Sequence, residues 1–359
     1  MARIWKINII ISFVLIASLR ISLAQVGGGS PLYVLKKPTG TSIYMATTIF
    51  NSDSTLFAIA GSGSGYNGIS IFETKSGKKL NSFEASNHIK DVAFDSQGKI
   101  LTSLSCDDNN CFIENYDIST GKIANSIFAL SFLNWNWSMA LSHNGNALAY
   151  KQNEFPTGGM TIYIVDLNTK SKSLLSKIKT DRRSLNSQII GSWESQMAFG
   201  TDGNKLAFTC CSAIIGVNKC KDPMIEVWQV QPPKLLGAIP LNNDLSVQTM
   251  LFGGNRFAYT DVTNVYIYDI PSMQMIYHKK TRFASISYDG KLTSGREDND
   301  KKWLLNVYNI SAGEVLVKSW EFPRGITKPA IVRILFSPDS KYLLTTDTSH
   351  QVIVYSISP

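Results

Sequence analysis

Phe94-Asp95-Ser96-Gln97-Gly98 and, downstream, Tyr116-Asp117-Ile118-Ser119-Thr120-Gly121-Lys122 are the two halves of the phrase that decides the fold. The first half is the end of an apolar strand running into an Asp/Gly turn. The second is an aromatic-acid-Ile strand running into a Gly/Lys turn. Asp, Asn and Gly supply the backbone conformations that tight hairpins need, so each half reads as a hairpin. The first half returns as Phe50-Asn51-Ser52-Asp53-Ser54, Leu141-Ser142-His143-Asn144-Gly145 and Phe199-Gly200-Thr201-Asp202-Gly203. It returns again as Ile286-Ser287-Tyr288-Asp289-Gly290, as Phe336-Ser337-Pro338-Asp339-Ser340, and in shortened form as Phe252-Gly253-Gly254. The second half returns at Phe72-Glu73, Val165-Asp166-Leu167, Trp228-Gln229-Val230, Tyr268-Asp269-Ile270, Tyr308-Asn309-Ile310 and Tyr355-Ser356-Ile357.

Both halves therefore occur in register, in units of about 48 residues with four short strands each, which predicts an all-β, seven-bladed β-propeller. The last unit stops at Pro359, straight after its third strand, while Leu32-Tyr33-Val34-Leu35 forms a strand before the first unit. The N-terminal strand is expected to complete blade 7 and close the ring, removing the exposed edges that invite aggregation.

In its second half the phrase resembles the WD40-like and YVTN-type propeller repeats. The chain has neither the Trp-Asp nor the Gly-His pair of that family, Trp228-Gln229 and Asn87-His88 being the nearest forms. Members of the family mostly act as interaction platforms. The resemblance thus implies a non-catalytic scaffold for a protein, peptide or glycan partner, with no cofactor. The alternative is a lactonase-like or lyase-like propeller enzyme with its site at the central channel.

The 359 residues carry a formal charge of +8 and 44% hydrophobic residues, enough for a large core. Basic pairs such as Lys36-Lys37, Arg182-Arg183 and Lys301-Lys302 are scattered through the repeat rather than gathered in one groove, which argues against nucleic acid. Arg3 and Lys6, the apolar run from Ile7 to Leu19 and the small residues Ser22-Leu23-Ala24 read as a secretory signal peptide over 1–24. The remainder, 25–359, is then one domain, secreted or extracellular (periplasmic in a bacterium), without stable membrane insertion.

In an exported chain the cysteines read as disulfides. Cys106 and Cys111 flank a four-residue loop and are expected to pair; Cys220 is expected to pair with Cys210 or Cys211, spacing leaving open which. The four histidines fall at different places of four units, without metal-ligand spacing, and Gly61-Ser62-Gly63-Ser64-Gly65 reads as a loop. The acidic loops Asp107-Asp108-Asn109-Asn110 and Glu297-Asp298-Asn299-Asp300 read as solvated turns, and Asn136 and Asn309 head glycosylation sequons.

One constellation is a candidate for recognition. Six residues before the last apolar residue of the first strand stand Tyr44, His88, Trp135 and Trp193 in units one to four. With Trp137 beside them, they are expected to form an aromatic crescent at the channel mouth, against the alternative that these rings wedge between blades. No catalytic residue is assigned.

Overall fold

The computed structural model describes residues 30–35, 43–63, 66–85, 87–107, 110–131, 139–153, 160–167, 173–180, 183–184, 197–215, 219–242, 247–298, 302–323, 331–348 and 351–357. Residues 1–24, read above as a leader, lie outside them.

Seven antiparallel sheets follow one another along the chain, and the elements are strands throughout the described residues. We number the blades in chain order and letter their strands a to d from the axis outward. Blade 1 is Ile43–Phe50, Leu56–Gly63, Tyr66–Glu73 and Lys79–Glu84, and blade 2 is His88–Phe94, Ile100–Cys106, Asn110–Asp117 and Lys122–Ser131. Blade 3 is Met139–Leu141, Ala147–Asn153, Met160–Asp166 and Ser173–Thr180. Blade 4 has a divided strand a, Arg183–Ser184 and Met197–Phe199, followed by Lys205–Ile215, Lys219–Gln229 and Lys234–Pro240. Blade 5 is Thr249–Gly253, Arg256–Thr260, Asn264–Asp269 and Gln274–Lys280, and blade 6 is Arg282–Ile286, Leu292–Asp298, Lys302–Asn309 and Val315–Pro323. Blade 7 takes Ile331–Phe336, Tyr342–Asp347 and Val352–Ser356 from the end of the chain and its strand d, Tyr33–Leu35, from the beginning.

The ring therefore closes as the phrase predicts, with Tyr33, Val34 and Leu35 opposite Val354, Ile353 and Val352. Tyr33 also ties the closing strand to blade 1: its hydroxyl donates to the Thr74 carbonyl at 2.5 Å. Its ring lies where a Cβ on Gly77 would stand, at 2.7 Å.

The a–b turns show why the first half-phrase has its composition. In six blades the fourth turn residue donates its N–H to the carbonyl of the first, as Gly98 does to Asp95 and Gly290 to Ser287. That fourth residue has positive φ, +66° at Gly98 and +74° at Gly290, where glycine carries no Cβ penalty. The first turn residue uses its side chain to accept the N–H that opens strand b: Asp95 Oδ1 from Ile100, Ser142 Oγ from Ala147, Ser287 Oγ from Leu292. Ser54 takes the glycine's place in blade 1 at φ 64°, and its hydroxyl accepts the Asp339 N–H of blade 7 at 3.0 Å. A serine in that strained position thus fastens the two blades where the chain ends meet.

The core forms between blades. The last apolar side chain of each strand a (Phe50, Phe94, Leu141, Phe199, Phe252, Ile286, Phe336) faces the start of its strand b and is buried. Burying each such side chain contributes about 2 kcal/mol. Strand d of blades 1 to 6 has a register shift against strand c, for example between Ile71 and Phe72 or between Val307 and Tyr308. A bulge on each outer strand bends the open edge and discourages pairing with other chains.

Candidate recognition face

Strand a begins and strand b ends on the same face of the ring, so b–c and d–a loops gather there and a–b turns gather on the other. The inner strands are fastened around the axis by charged and hydroxyl side chains. Arg333 on strand 7a donates to Thr47 Oγ1 on strand 1a at 3.0 Å. The Ile89 N–H of blade 2 donates to Ser62 Oγ of blade 1 at 2.7 Å. Asp91 on strand 2a accepts the Leu141 N–H of blade 3 at 3.1 Å. Burial raises the Asp91 carboxyl above the usual range, against the two backbone hydrogen bonds and Arg333, which act in the other direction.

Two buried cations on strand b extend the pattern. Lys151 of blade 3 is 3% exposed, and its Nζ donates to the Thr209 carbonyl of blade 4 at 2.9 Å. Thr209 lies between the residues opposite Met197 and those opposite Ser184, where strand 4a is divided. Burial pulls the Lys151 amine down to about 8, and the nearby Cys210 and Cys211 oppose that fall. Arg296 of blade 6 is 5% exposed; its Nε and Nη2 donate to Asp298 Oδ1 and Oδ2 at 2.9 and 3.1 Å. The guanidinium also lies 4.5 Å from the Trp303 ring centroid and reaches the Ile331 carbonyl of blade 7 at 3.5 Å.

On the turn face, His143 of blade 3 meets Tyr288 of blade 6 edge-on, ring centroids 5.6 Å apart. Blades 3 and 6 lie on opposite sides of a seven-membered ring, so this contact spans the axis. His143 Nδ1 is buried without a partner, and burial lowers the imidazole to about 4, so it is neutral at physiological pH.

Of the predicted crescent, the described residues contain His88, which is exposed and opposite Cys106, and the backbone of Tyr44. Tyr44 sits at the register shift between Ile43 and Met45. Trp135, Trp137 and Trp193 lie outside the described residues. Register corrects the counting behind Trp193. In blade 2 the residue opposite the end of strand b is His88; in blade 4 the residue opposite Cys211, the corresponding position, is Arg183. A stretch of twelve residues, 185–196, separates the two pieces of strand 4a, so counting back from Phe199 enters that stretch. In blade 6 the same count reaches Lys280, which belongs to strand 5d.

The cysteines divide in the same way. Cys106 and Cys111 are joined by a disulfide across strands 2b and 2c. The expected bridge to Cys220 is not made: Cys210 and Cys211 are buried thiols. They stand opposite Met224 and Pro223, while Cys220 stands opposite Ile214. Three residues of strand separate Cys220 from the position opposite Cys211, roughly 10 Å, beyond the reach of a disulfide.

No family model matches the chain. Autophagy-related protein 18 of the yeast Meyerozyma guilliermondii is 32% identical over 101 residues, 27% of this chain and 17% of that protein's length. Three solved structures are similar over nearly the whole ring. The β-propeller domain of Myceliophteria thermophila Cps50 (Swd1) has a TM-score of 0.61 at 11% identity, covering 90% of this chain and 99% of that one. A chain of the mitotic checkpoint complex gives 0.58 at 14% identity, covering 91% and 94%. The C-terminal WD40 domain of Sif2 gives 0.53 at 11%, covering 87% and 81%. The chain has the fold of a WD40-like seven-bladed propeller. At these identities the solved structures carry the fold alone.

The expectation of a secreted or extracellular protein is overturned by these matches. The relative matched in sequence is an autophagy-related protein of yeast, and the solved structures share the fold of this ring.

Proposed function

We propose that the chain is a non-catalytic scaffold of the cytosol or nucleus that holds a protein partner on its loop face. The observation that carries this is the use made of the ring's inner charges. Asp91, Lys151, Arg296 and Arg333 each bond a neighbouring blade or a neighbouring carboxylate. Charges committed in this way hold blades together and are not available for acid–base chemistry on a substrate. The a–b turns are likewise bonded to one another, Ser52 Oγ to the Ser96 carbonyl at 2.9 Å and Arg256 Nη1 to the Gly290 carbonyl at 2.5 Å. Recognition then falls to the loop face, where loops on a rigid ring can vary freely. Tyr44, His88, Trp135 and Trp137 are the residues proposed to touch the partner, through a peptide segment or a glycan it bears.

Quantitative affinity purification from intact cells tests the reading. A Tyr44→Ala/His88→Ala/Trp135→Ala/Trp137→Ala chain with unchanged melting temperature is expected to lose the proteins that the wild type retains. A turn-face control, Lys291→Ala/Lys341→Ala, keeps them. Loss in the control with retention in the first variant would place recognition on the wrong face.

A further inference from the structure

We propose that the Cys106–Cys111 bond is a reversible dithiol/disulfide switch, exchanging with small cellular thiols of the glutathione class, and that its state is felt across the interface between blades 2 and 3. The proposal rests on the intracellular reading above. In a reducing compartment a persistent disulfide needs a reason, and holding the hairpin together is not that reason here.

Strands 2b and 2c are already aligned by seven consecutive residue pairs from Ile100–Asp117 to Cys106–Cys111. Beyond the cysteines the turn has its own fastenings: Asp107 N–H donates to the Asn110 carbonyl at 2.9 Å, and Asn110 N–H to Asp107 Oδ1 at 2.6 Å. The bond closes a ring separated by only 5 residues in sequence. So short a ring removes little entropy from the unfolded chain, and stapling gains grow with loop length. The fold therefore tolerates either state.

What changes with redox state is packing. Cys106 and Cys111 are 5% and 0% exposed and belong to one apolar cluster with Leu104, Leu141, Leu148 and Leu167, with Met139 and Tyr150 against it. Four of those partners, Met139, Leu141, Leu148 and Tyr150, are strands 3a and 3b. Two thiols cannot keep bonding distance and must part to van der Waals separation, about 3.5–4 Å. In a close-packed cluster that displacement is passed to its neighbours. It is passed to strand 3a, which leads out of the stretch holding Trp135 and Trp137, and to His88, which stands directly opposite Cys106.

The exchange balances without any group from the protein beyond the cysteines. A glutathione thiolate attacks Cys106 Sγ, on the less completely buried of the two residues, and Cys111 leaves with the bonding pair and takes a proton from water. A second thiolate attacks the mixed disulfide, releasing the Cys106 thiolate and glutathione disulfide.

The test uses the full chain equilibrated in glutathione buffers of graded ratio, then alkylated with a mass-tagged maleimide and followed by hydrogen exchange. The expected result is a two-thiol mass shift at the cytosolic poise with cooperative unfolding retained. Amide exchange at Met139–Leu141 is expected to differ at least severalfold between the two states. A Cys106→Ser/Cys111→Ser chain, folded, shows no redox-dependent difference there. A bond that opens only on unfolding would make it a staple and overturn the proposal, as would a pair that stays reduced in every buffer. Identical exchange at Met139–Leu141 in both states would overturn its transmission. Retention of partner by both states would leave the proposed scaffold function standing while denying that the switch controls it.

Discussion

Blade 3 and blade 6 carry a buried cation at the same place, six residues after the turn glycine. Lys151 follows Gly145 and Arg296 follows Gly290. The other blades hold Ala60, Leu104, Thr209, Thr260 and Thr346 there, all buried. The place is thus a core position, and each cation has to be accommodated in it. Blade 6 does so with Asp298 two residues further along, aromatic faces at Trp303 and Phe283, and a short reach into blade 7. Blade 3 has Asn153 at the position of Asp298. Among the described residues no carboxylate lies within ion-pair distance of Lys151, and its ammonium donates to a backbone carbonyl instead. The contrast teaches that a buried fastener's worth is set by the residue that matches its charge, not by the fastener itself.

The largest expected effect comes from making blade 6 resemble blade 3. Asp298→Asn leaves the Arg296 guanidinium buried without its carboxylate and should cost about 3 kcal/mol, read as a shift in the denaturant midpoint at constant slope. Next comes the packing around Arg296. Gly295 precedes it, and an added Cβ would stand 2.1 Å from Thr281 Oγ1, whose hydroxyl donates to the Arg296 carbonyl at 3.0 Å. Gly295→Ala should therefore cost about 2 kcal/mol by the same measurement. Blade 3 has Tyr150 at the corresponding position, stacked on Tyr163 at 5.2 Å, so nothing there depends on a missing side chain. The smallest effect belongs to Lys151→Met. Losing one hydrogen bond offsets losing one poorly compensated buried charge, and the change at neutral pH should stay within about 1 kcal/mol. A large loss on Lys151→Met, or none on Asp298→Asn, would remove the distinction between the blades.

The two blades also separate what the chain displays from what it conceals. The blade count and the closing strand were legible because turn chemistry is local. Asp95, Ser142, Ser287 and Ser337 each satisfy their own turn, so each unit carries its own signature. The Cys106–Cys111 bond was legible for the same reason, its partners facing each other across one hairpin. Strand a of blade 4 was not. Its pairing is fixed by strand 4b, and the stretch 185–196 falls inside a strand that the repeat would make continuous. Counting along the chain then put Trp193 where register puts Arg183. The bridge to Cys220 failed because eleven-residue strands at 4b and 4c shift the register relative to blade 2. The inter-blade fasteners were hidden as well: Lys151 and Arg296 lie in apolar strands of different blades, and only the ring shows that they share a position. Two cations at an equal distance from the turn glycine, Gly145 and Gly290, were the available signal.

The pH dependence of unfolding between about pH 8 and pH 9.5, in wild type and Lys151→Met, tests the contrast most directly. The Lys151 amine is pulled from 10.5 to about 8 in the fold, so between those values the unfolded chain binds the extra proton and stability rises with pH. Buried tyrosines such as Tyr116 and Tyr259 are raised above 10 and make stability fall at higher pH, which sets the upper limit of the window. The account predicts that the wild type gains roughly 1.5–2 kcal/mol across the window relative to Lys151→Met. Parallel curves for the two chains would mean that Lys151 is as well compensated as Arg296, and would contradict it.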